Sequence, residues 1–241
     1  MSDAHEALDA QKAQKAQVKY NVWSELQDKP IEVLKSIQKC FTRDSQYGIC
    51  MFNIHHSGNI GMTVRTACIM GFDKFIICGR HHYDKRFTVG AHNYIDIVHW
   101  TSPIKVDISI LSNKTHTHTN NPTTTSNPNH QQYKETINYF PEEFIAHCKM
   151  SQYTPVFVEQ GGVDIRTRAR TWKHIEKPLL VFGNESLGIP KSFMITVCTA
   201  IPDACIVSIP QWSIMRSLNI SNAASIAMWE LRRCNEVLFT A

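Results

Sequence analysis

Leu179-Leu180-Val181-Phe182-Gly183-Asn184-Glu185-Ser186-Leu187-Gly188-Ile189-Pro190 is the stretch on which the fold turns. Four consecutive apolar residues do not alternate, so they predict a strand covered on both faces, the situation of a parallel sheet. The run ends in a polar loop with two glycines, and Pro190 then opens a helix, where its missing N–H is harmless. Ligands of open α/β sheets bind at such carboxyl ends of strands. The loop is not a phosphate-binding loop of the Lys-Ser/Thr kind, because Ile189 and Pro190 follow Gly188.

The same alternation continues outward. Further strands are predicted at Ile49 to Ile54, Phe75 to Cys78, Ile95 to Val98, Pro155 to Val158 and Cys205 to Ile209. Helices are predicted at Ile60 to Met70, Pro141 to Met150, Pro190 to Val197 and Ser217 to about Glu236. The expected class is α/β, a mainly parallel sheet with helices on both faces. Residues 1–45 read as an N-terminal helical extension and 46–241 as one domain. A tract of Asn, Thr, His, Pro and Ser at about 112–132 has nothing to pack and is expected to be a flexible insertion.

The composition agrees with a single main domain: 241 residues, 43% hydrophobic and 19% charged, too apolar for wholesale disorder. A net charge of +4 is only faint evidence for a polyanionic partner. The eight cysteines lack CxxC pairing and read as reduced core residues. No metal is expected, since His116 and His118 have no ligands nearby to complete a site. No stretch reaches the ~20 apolar residues of a membrane span, and the N-terminus resembles no leader, so the expected compartment is cytoplasmic, with nucleus and organelle left open.

Two further segments carry chemistry. His56-Ser57-Gly58-Asn59-Ile60-Gly61-Met62-Thr63-Val64-Arg65-Thr66-Ala67 follows a strand and enters a helix. Its glycines are expected to let a ligand approach, and the helix start to offer N–H groups to an anion. Arg65 follows in the first turns, where its planar fork suits a phosphate. In the C-terminal segment, Ile209-Pro210-Gln211 precedes Ser217-Leu218-Asn219-Ile220-Ser221-Asn222, a polar cluster larger than one helix cap requires. Beyond it, Ala224, Ala227, Met228 and Leu231 form one helical stripe.

Together the three segments resemble the SpoU/TrmH family of the SPOUT superfamily of RNA methyltransferases: Asn-x-Gly-x-x-x-Arg-Thr-Ala at 59–67, Gly-x-Glu-x-x-Gly at 183–188, and Ile-Pro followed by Ser-Leu-Asn-x-Ser at 209–221. The family often has Met after Ile-Pro and Gly two residues later; here Gln211 and Ser213 stand there. Ile-Pro-Gln with Arg216 before Ser-Leu-Asn looks more like the eukaryotic tRNA guanosine-18 ribose methyltransferases, although their large N-terminal extension is absent.

The resemblance implies S-adenosylmethionine as donor, a ribose 2′-hydroxyl of RNA as acceptor, tRNA favoured over rRNA, and a C-terminal trefoil knot. It implies a homodimer, for which the small-residue C-terminal helix offers a seam. By the same analogy Arg65 is catalytic, and Asn59, Glu185, Ser217 and Asn219 form a polar frame holding Arg65 and the ribose. Val158, Gly183, Ile209, Ser217 and Leu218 are the implied donor contacts. Arg65, Arg86, Arg168 and Arg170 are the candidate RNA-binding residues, with Arg80, Lys85, Arg166, Trp172, Lys173 and His174 in the same basic clusters. A base methyltransferase of the superfamily, a catalytically idle RNA-binding module and an unrelated nucleotide-binding α/β protein are the alternatives.

Overall fold

The computed structural model describes residues 21–42, 46–79, 82–110, 133–167, 174–215 and 217–235. In chain order the elements are α1 (Ile31–Thr42), β1 (Gly48–Phe52), α2 (Ser57–Ile69), β2 (Lys74–Cys78), α3 (Lys85–Thr88), β3 (Asp96–Trp100), β4 (Ile104–Ile110) and β5 (Tyr133–Tyr139). They continue with α4 (Pro141–Ser151), β6 (Thr154–Asp164), β7 (Pro178–Phe182), α5 (Lys191–Ala200), β8 (Cys205–Ser208) and α6 (Ile220–Asn235).

Six strands form one sheet in the order β3-β2-β1-β7-β6-β8, every pairing parallel. These are the six strands the apolar runs predict, displaced by a residue or two at their ends except for β6, which runs on to Asp164. All five residues of β1 and of β7 are buried because the sheet is covered twice. Ile49, Met51, Leu180 and Phe182 pack with Ile60 and Val64 of α2 and with Ala224, Ala227, Met228 and Leu231 of α6. Cys50, Phe52, Leu179 and Val181 face the other way, against Phe144 and Cys148 of α4 and Phe193 and Val197 of α5. There Phe52, Phe144 and Phe193 meet with ring centroids 5.4–5.6 Å apart.

Several expectations need correcting. The antiparallel pair β4–β5, from Ile104 opposite Tyr139 to Ile110 opposite Tyr133, is absent from the sequence reading. It brackets the low-complexity tract, which itself lies outside the described residues, as do residues 1–20 of the N-terminal extension. Within that extension α1 buries Leu34, and Gln38 Nε2 donates to the Cys68 carbonyl at 3.1 Å. All eight cysteines are free thiols, but Cys40 is exposed rather than a core residue.

The stripe Ala224, Ala227, Met228 and Leu231 is fully buried inside the chain. That face of α6 therefore packs within the chain, whereas Ile226 and Trp229 on the same helix are exposed. Strand β6 also runs further than expected, to Asp164, with an irregularity in its pairing to β8 between Val158 and Val163. Gly161 takes φ +79° there, and a Cβ on Gly162 would lie 2.6 Å from the Val207 backbone. The bulge bends β6 midway along its pairing with β8.

Candidate active site

The loop after β7 closes on itself. A Cβ on Gly183 would lie 2.4 Å from the Gly188 carbonyl carbon, and Gly188 sits at φ +63°. Asn184, fully covered, holds the turn: its Oδ1 accepts from the Ser186 and Leu187 N–H groups at 2.9 and 3.1 Å. Its Nδ2 donates to the Asn53 carbonyl at 2.8 Å, tying the loop to the end of β1.

Glu185 then reaches the start of α2. Its Oε2 accepts from the His55 N–H at 2.9 Å, and its Oε1 from the His56 N–H at 3.2 Å and from Asn59 Nδ2 at 3.1 Å. Burial pushes this carboxyl up, but the donors from His55, Asn59 and His56 outweigh it and hold it below the ordinary glutamate value. The remaining oxygen of Asn59 accepts from Asn219 Nδ2 at 3.1 Å. Asn219 Oδ1 in turn caps α6, accepting from the Ser221 N–H at 2.9 Å and from Ser221 Oγ at 2.6 Å. This is why α6 begins at Ile220 and not at Ser217.

Of the expected frame of Asn59, Glu185, Ser217 and Asn219, three are thus brought into one hydrogen-bonded chain across all three motifs, while Ser217 stands outside that chain and lines the neighbouring cleft. Two expectations change with it. The anion at the N-terminus of α2 is the protein's own Glu185 rather than a ligand. The glycines at 58 and 61 admit the protein's own chain too: a Cβ at 61 would lie 2.7 Å from the Asp84 carbonyl oxygen, and one at 58 would lie 3.2 Å from the Phe87 ring. The frame makes no hydrogen bond to Arg65, which is exposed about 9 Å further along α2 by helical rise. Among the described residues no hydrogen bond or ion pair engages the Arg65 guanidinium.

Val158, Gly183, Ile209, Ser217 and Leu218, expected as donor contacts, all line a single cleft at the bulge of β6 and the carboxyl ends of β7 and β8. Glu159, Gln160 and Asn184 join them, and none of the three was predicted from sequence. The readable signal for Glu159 was Glu-Gln-Gly-Gly, whose paired glycines mark a bulge. The charged residues among the described lining are Glu159 and Glu185; there is no Lys or Arg. Phosphate is poorly matched to such a surface, while a neutral or cationic nucleoside suits it.

Of the basic clusters, Arg86 is described and is already forked onto Asp84, Nη2 to Oδ2 at 2.6 Å. Arg166 pairs likewise with Asp164 at 2.6 Å and lies over the Trp212 ring at 5.6 Å. Arg80, Arg168, Arg170, Trp172, Lys173 and Arg216 lie outside the described residues. Among the described residues no group of three or more His, Cys, Asp or Glu is placed to hold a metal ion, and no helix is long and apolar enough to cross a membrane.

The chain is similar to several known proteins. The mouse tRNA (guanosine(18)-2′-O)-methyltransferase TARBP1 is 33% identical over 90 residues, covering 37% of this chain and 5% of that protein. The SpoU methyltransferase AviRb from Streptomyces viridochromogenes, solved in complex with AdoMet, superposes with a TM-score of 0.51 at 21% identity, over 77% of this chain and 56% of that one. The TrmH/SpoU tRNA modifying enzyme of A. aeolicus superposes at 0.56 with 17% identity, over 85% and 83%. The chain therefore spans a twentieth of the curated relative and little more than half of AviRb. The family model described as SpoU rRNA Methylase matches residues 105–229, the span that holds the loop after β7 and the segment leading into α6. On that match over more than half its length, and on the fold it shares with these enzymes, the chain belongs to the SpoU rRNA methylase family.

Proposed function

We propose that the protein is an S-adenosylmethionine-dependent RNA methyltransferase acting on a ribose 2′-hydroxyl, with tRNA favoured over rRNA. The observation that carries the reading is the cleft: the loop after β7 and the segment from Ile209 to Leu218, two of the three motifs, line one acidic pocket with residues 158–160 of β6, and Asn59 of the remaining motif is hydrogen-bonded to both through Glu185 and Asn219. S-adenosylmethionine, when bound, supplies an electrophilic methyl group on a sulfonium, a cation that two lining carboxylates suit. The preference for tRNA is supported by TARBP1, a tRNA ribose methyltransferase, as a relative at 33% identity.

Arg65 is the catalytic residue of this reading. A guanidinium stays protonated, so it is not the base. It orients a neighbouring RNA phosphate, which receives the hydroxyl proton as the oxygen–methyl bond forms and the sulfur–methyl bond breaks. Asn59, Glu185 and Asn219 act indirectly, by holding the start of α2, and so Arg65, against the cleft. Backbone and side-chain groups of Val158, Gly183, Ile209, Ser217 and Leu218 hold the donor. Arg86, Arg168 and Arg170 contribute to RNA binding, with Arg86 exchanging Asp84 for phosphate. The C-terminal part is threaded as the family's trefoil knot, a reading supported by the return of the chain from β8, at the sheet edge, to α6 against α2.

A second copy of the chain completes the assembly through the exposed groove beside the cleft. Trp212, Met215, Leu218 and Ile226 line it together, with Trp212 83% and Met215 69% exposed. The test of function is incubation with methyl-labelled S-adenosylmethionine and separate tRNA and rRNA fractions, followed by nucleoside analysis. Wild type yields 2′-O-methylnucleoside, in tRNA, and Arg65→Ala loses at least about a hundredfold in rate. Methylated base, or near-normal turnover by Arg65→Ala, refutes the assignment.

A further inference from the structure

The two carboxylates of the cleft are unequally engaged. Glu185 receives three N–H groups from the protein. Glu159 receives two: the Ile189 N–H on Oε2 at 3.2 Å and the adjacent Gln160 N–H on Oε1 at 3.0 Å. A carboxylate offers about four acceptor positions, so each Glu159 oxygen keeps one. The side chain is half-buried, lines the cleft, and sits at the start of the bulge that bends β6.

Its position is fixed before any ligand arrives. A Cβ on Gly188 would stand 2.6 Å from Glu159 Oε2, so the glycine of the motif loop is shaped around this carboxylate. A pair of parallel acceptors, held in place and facing a nucleoside-sized cleft without cations, matches two adjacent hydroxyl donors.

We propose that Glu159 receives the vicinal 2′- and 3′-hydroxyls of the donor's adenosine, and is thereby the residue that selects a ribonucleoside in this cleft. The inference rests on the methyltransferase reading above. The competing role for a carboxylate here is to face the sulfonium, which the choice of ligands separates.

The experiment is calorimetric titration of the full chain, as wild type, Glu159→Ala and Glu159→Gln, with S-adenosylmethionine, S-adenosylhomocysteine and the 2′-deoxyadenosyl counterpart of the latter. Wild type is expected to bind the deoxy ligand on the order of tenfold or more weaker than S-adenosylhomocysteine. In Glu159→Ala the two bind about equally, with Glu159→Gln in between. The ratio of two ligands on one variant is insensitive to partial loss of folded protein, and if Glu159→Ala fails to fold, the ratio in Glu159→Gln decides.

An unchanged ratio in the variants overturns the inference and leaves the methyltransferase reading intact. Selective loss of S-adenosylmethionine over S-adenosylhomocysteine overturns it in favour of a sulfonium contact. Wild type binding neither adenosyl ligand sinks both readings.

Discussion

Replacing Glu185 with Gln tests whether the three motifs are tied together by charge. The amide keeps one acceptor oxygen. If it occupies the Oε1 position, it still serves His56 and Asn59, but an NH2 group now faces the His55 N–H that Oε2 accepted at 2.9 Å. Hydrogen bonds to a charged partner contribute about 1.5–3 kcal/mol and neutral ones about 0.5–1.5, so two weakened bonds and one lost sum to roughly 3–4 kcal/mol. His55 and His56 are exposed and water replaces part of that, leaving about 2 kcal/mol. In a chain of this size the midpoint of thermal unfolding falls by roughly 4–8 °C.

The pH dependence supplies the sharper test. The folded carboxyl titrates below its ordinary value of 4.5, so its contribution is fully present above that pH and is lost as pH falls through the folded value. Asp84, Asp164 and Glu230 are also held low by Arg86, Arg166 and Arg233, so acid destabilisation of wild type alone does not isolate Glu185. The difference between wild type and Glu185→Gln does. Scanning calorimetry should show a constant gap from pH 5 upward that closes below about pH 4.5. A gap that persists unchanged into acid, or one under about 1 °C at neutral pH, refutes the charged tie.

Substitutions at three further positions test the packing and capping around this site. Gly61→Ala places a Cβ 2.7 Å from the Asp84 carbonyl and 2.8 Å from Phe87 Cβ, so α3 must move off α2, at a cost of about 1–3 kcal/mol in chemical denaturation. Gly90→Ala, at φ +87° but with nothing within 4 Å, costs only the backbone strain of about 1 kcal/mol; equal losses would contradict the packing account. Asn219→Ala removes the cap of α6 and the bond to Asn59, costing about 1–2 kcal/mol, while Asn219→Ser, which still caps, restores the larger share. No difference between Ala and Ser would remove the cap from the explanation.

The parallel sheet was legible because it is covered on both faces: β1 and β7 have no solvent side, so their sequences are unbroken apolar runs. The pair β4–β5 was hidden by what lies between its strands. Ile104 to Ile110 alternates apolar and polar residues as a half-exposed strand should, but its partner begins only at Tyr133. The start of α2 was placed late, at Ile60, because two glycines in four residues argue against helix when propensity is read alone. They are tolerated since Asp84 and Phe87 press against that face. In the site, family motifs identified the loops but not their partners. Nothing in the sequence announces that Glu185 engages His55 and His56, some 130 residues away.

That pairing changes what the first motif can do. A glycine-bearing turn into a helix reads as a slot for phosphate, and here the slot is closed by the protein's own carboxylate. An RNA phosphate that took the His55 and His56 N–H groups would displace Glu185, exposing three donors and untying the loop after β7 from the start of α2. On the proposed function, phosphate recognition beside the reacting ribose is assigned to Arg65, further along the same helix. Acid at the helix start and base beyond it are complementary under that proposal: Glu185 ties the start of α2 to the loop after β7, and Arg65 stands exposed about 9 Å further along the helix, its guanidinium without hydrogen bond or ion pair among the described residues.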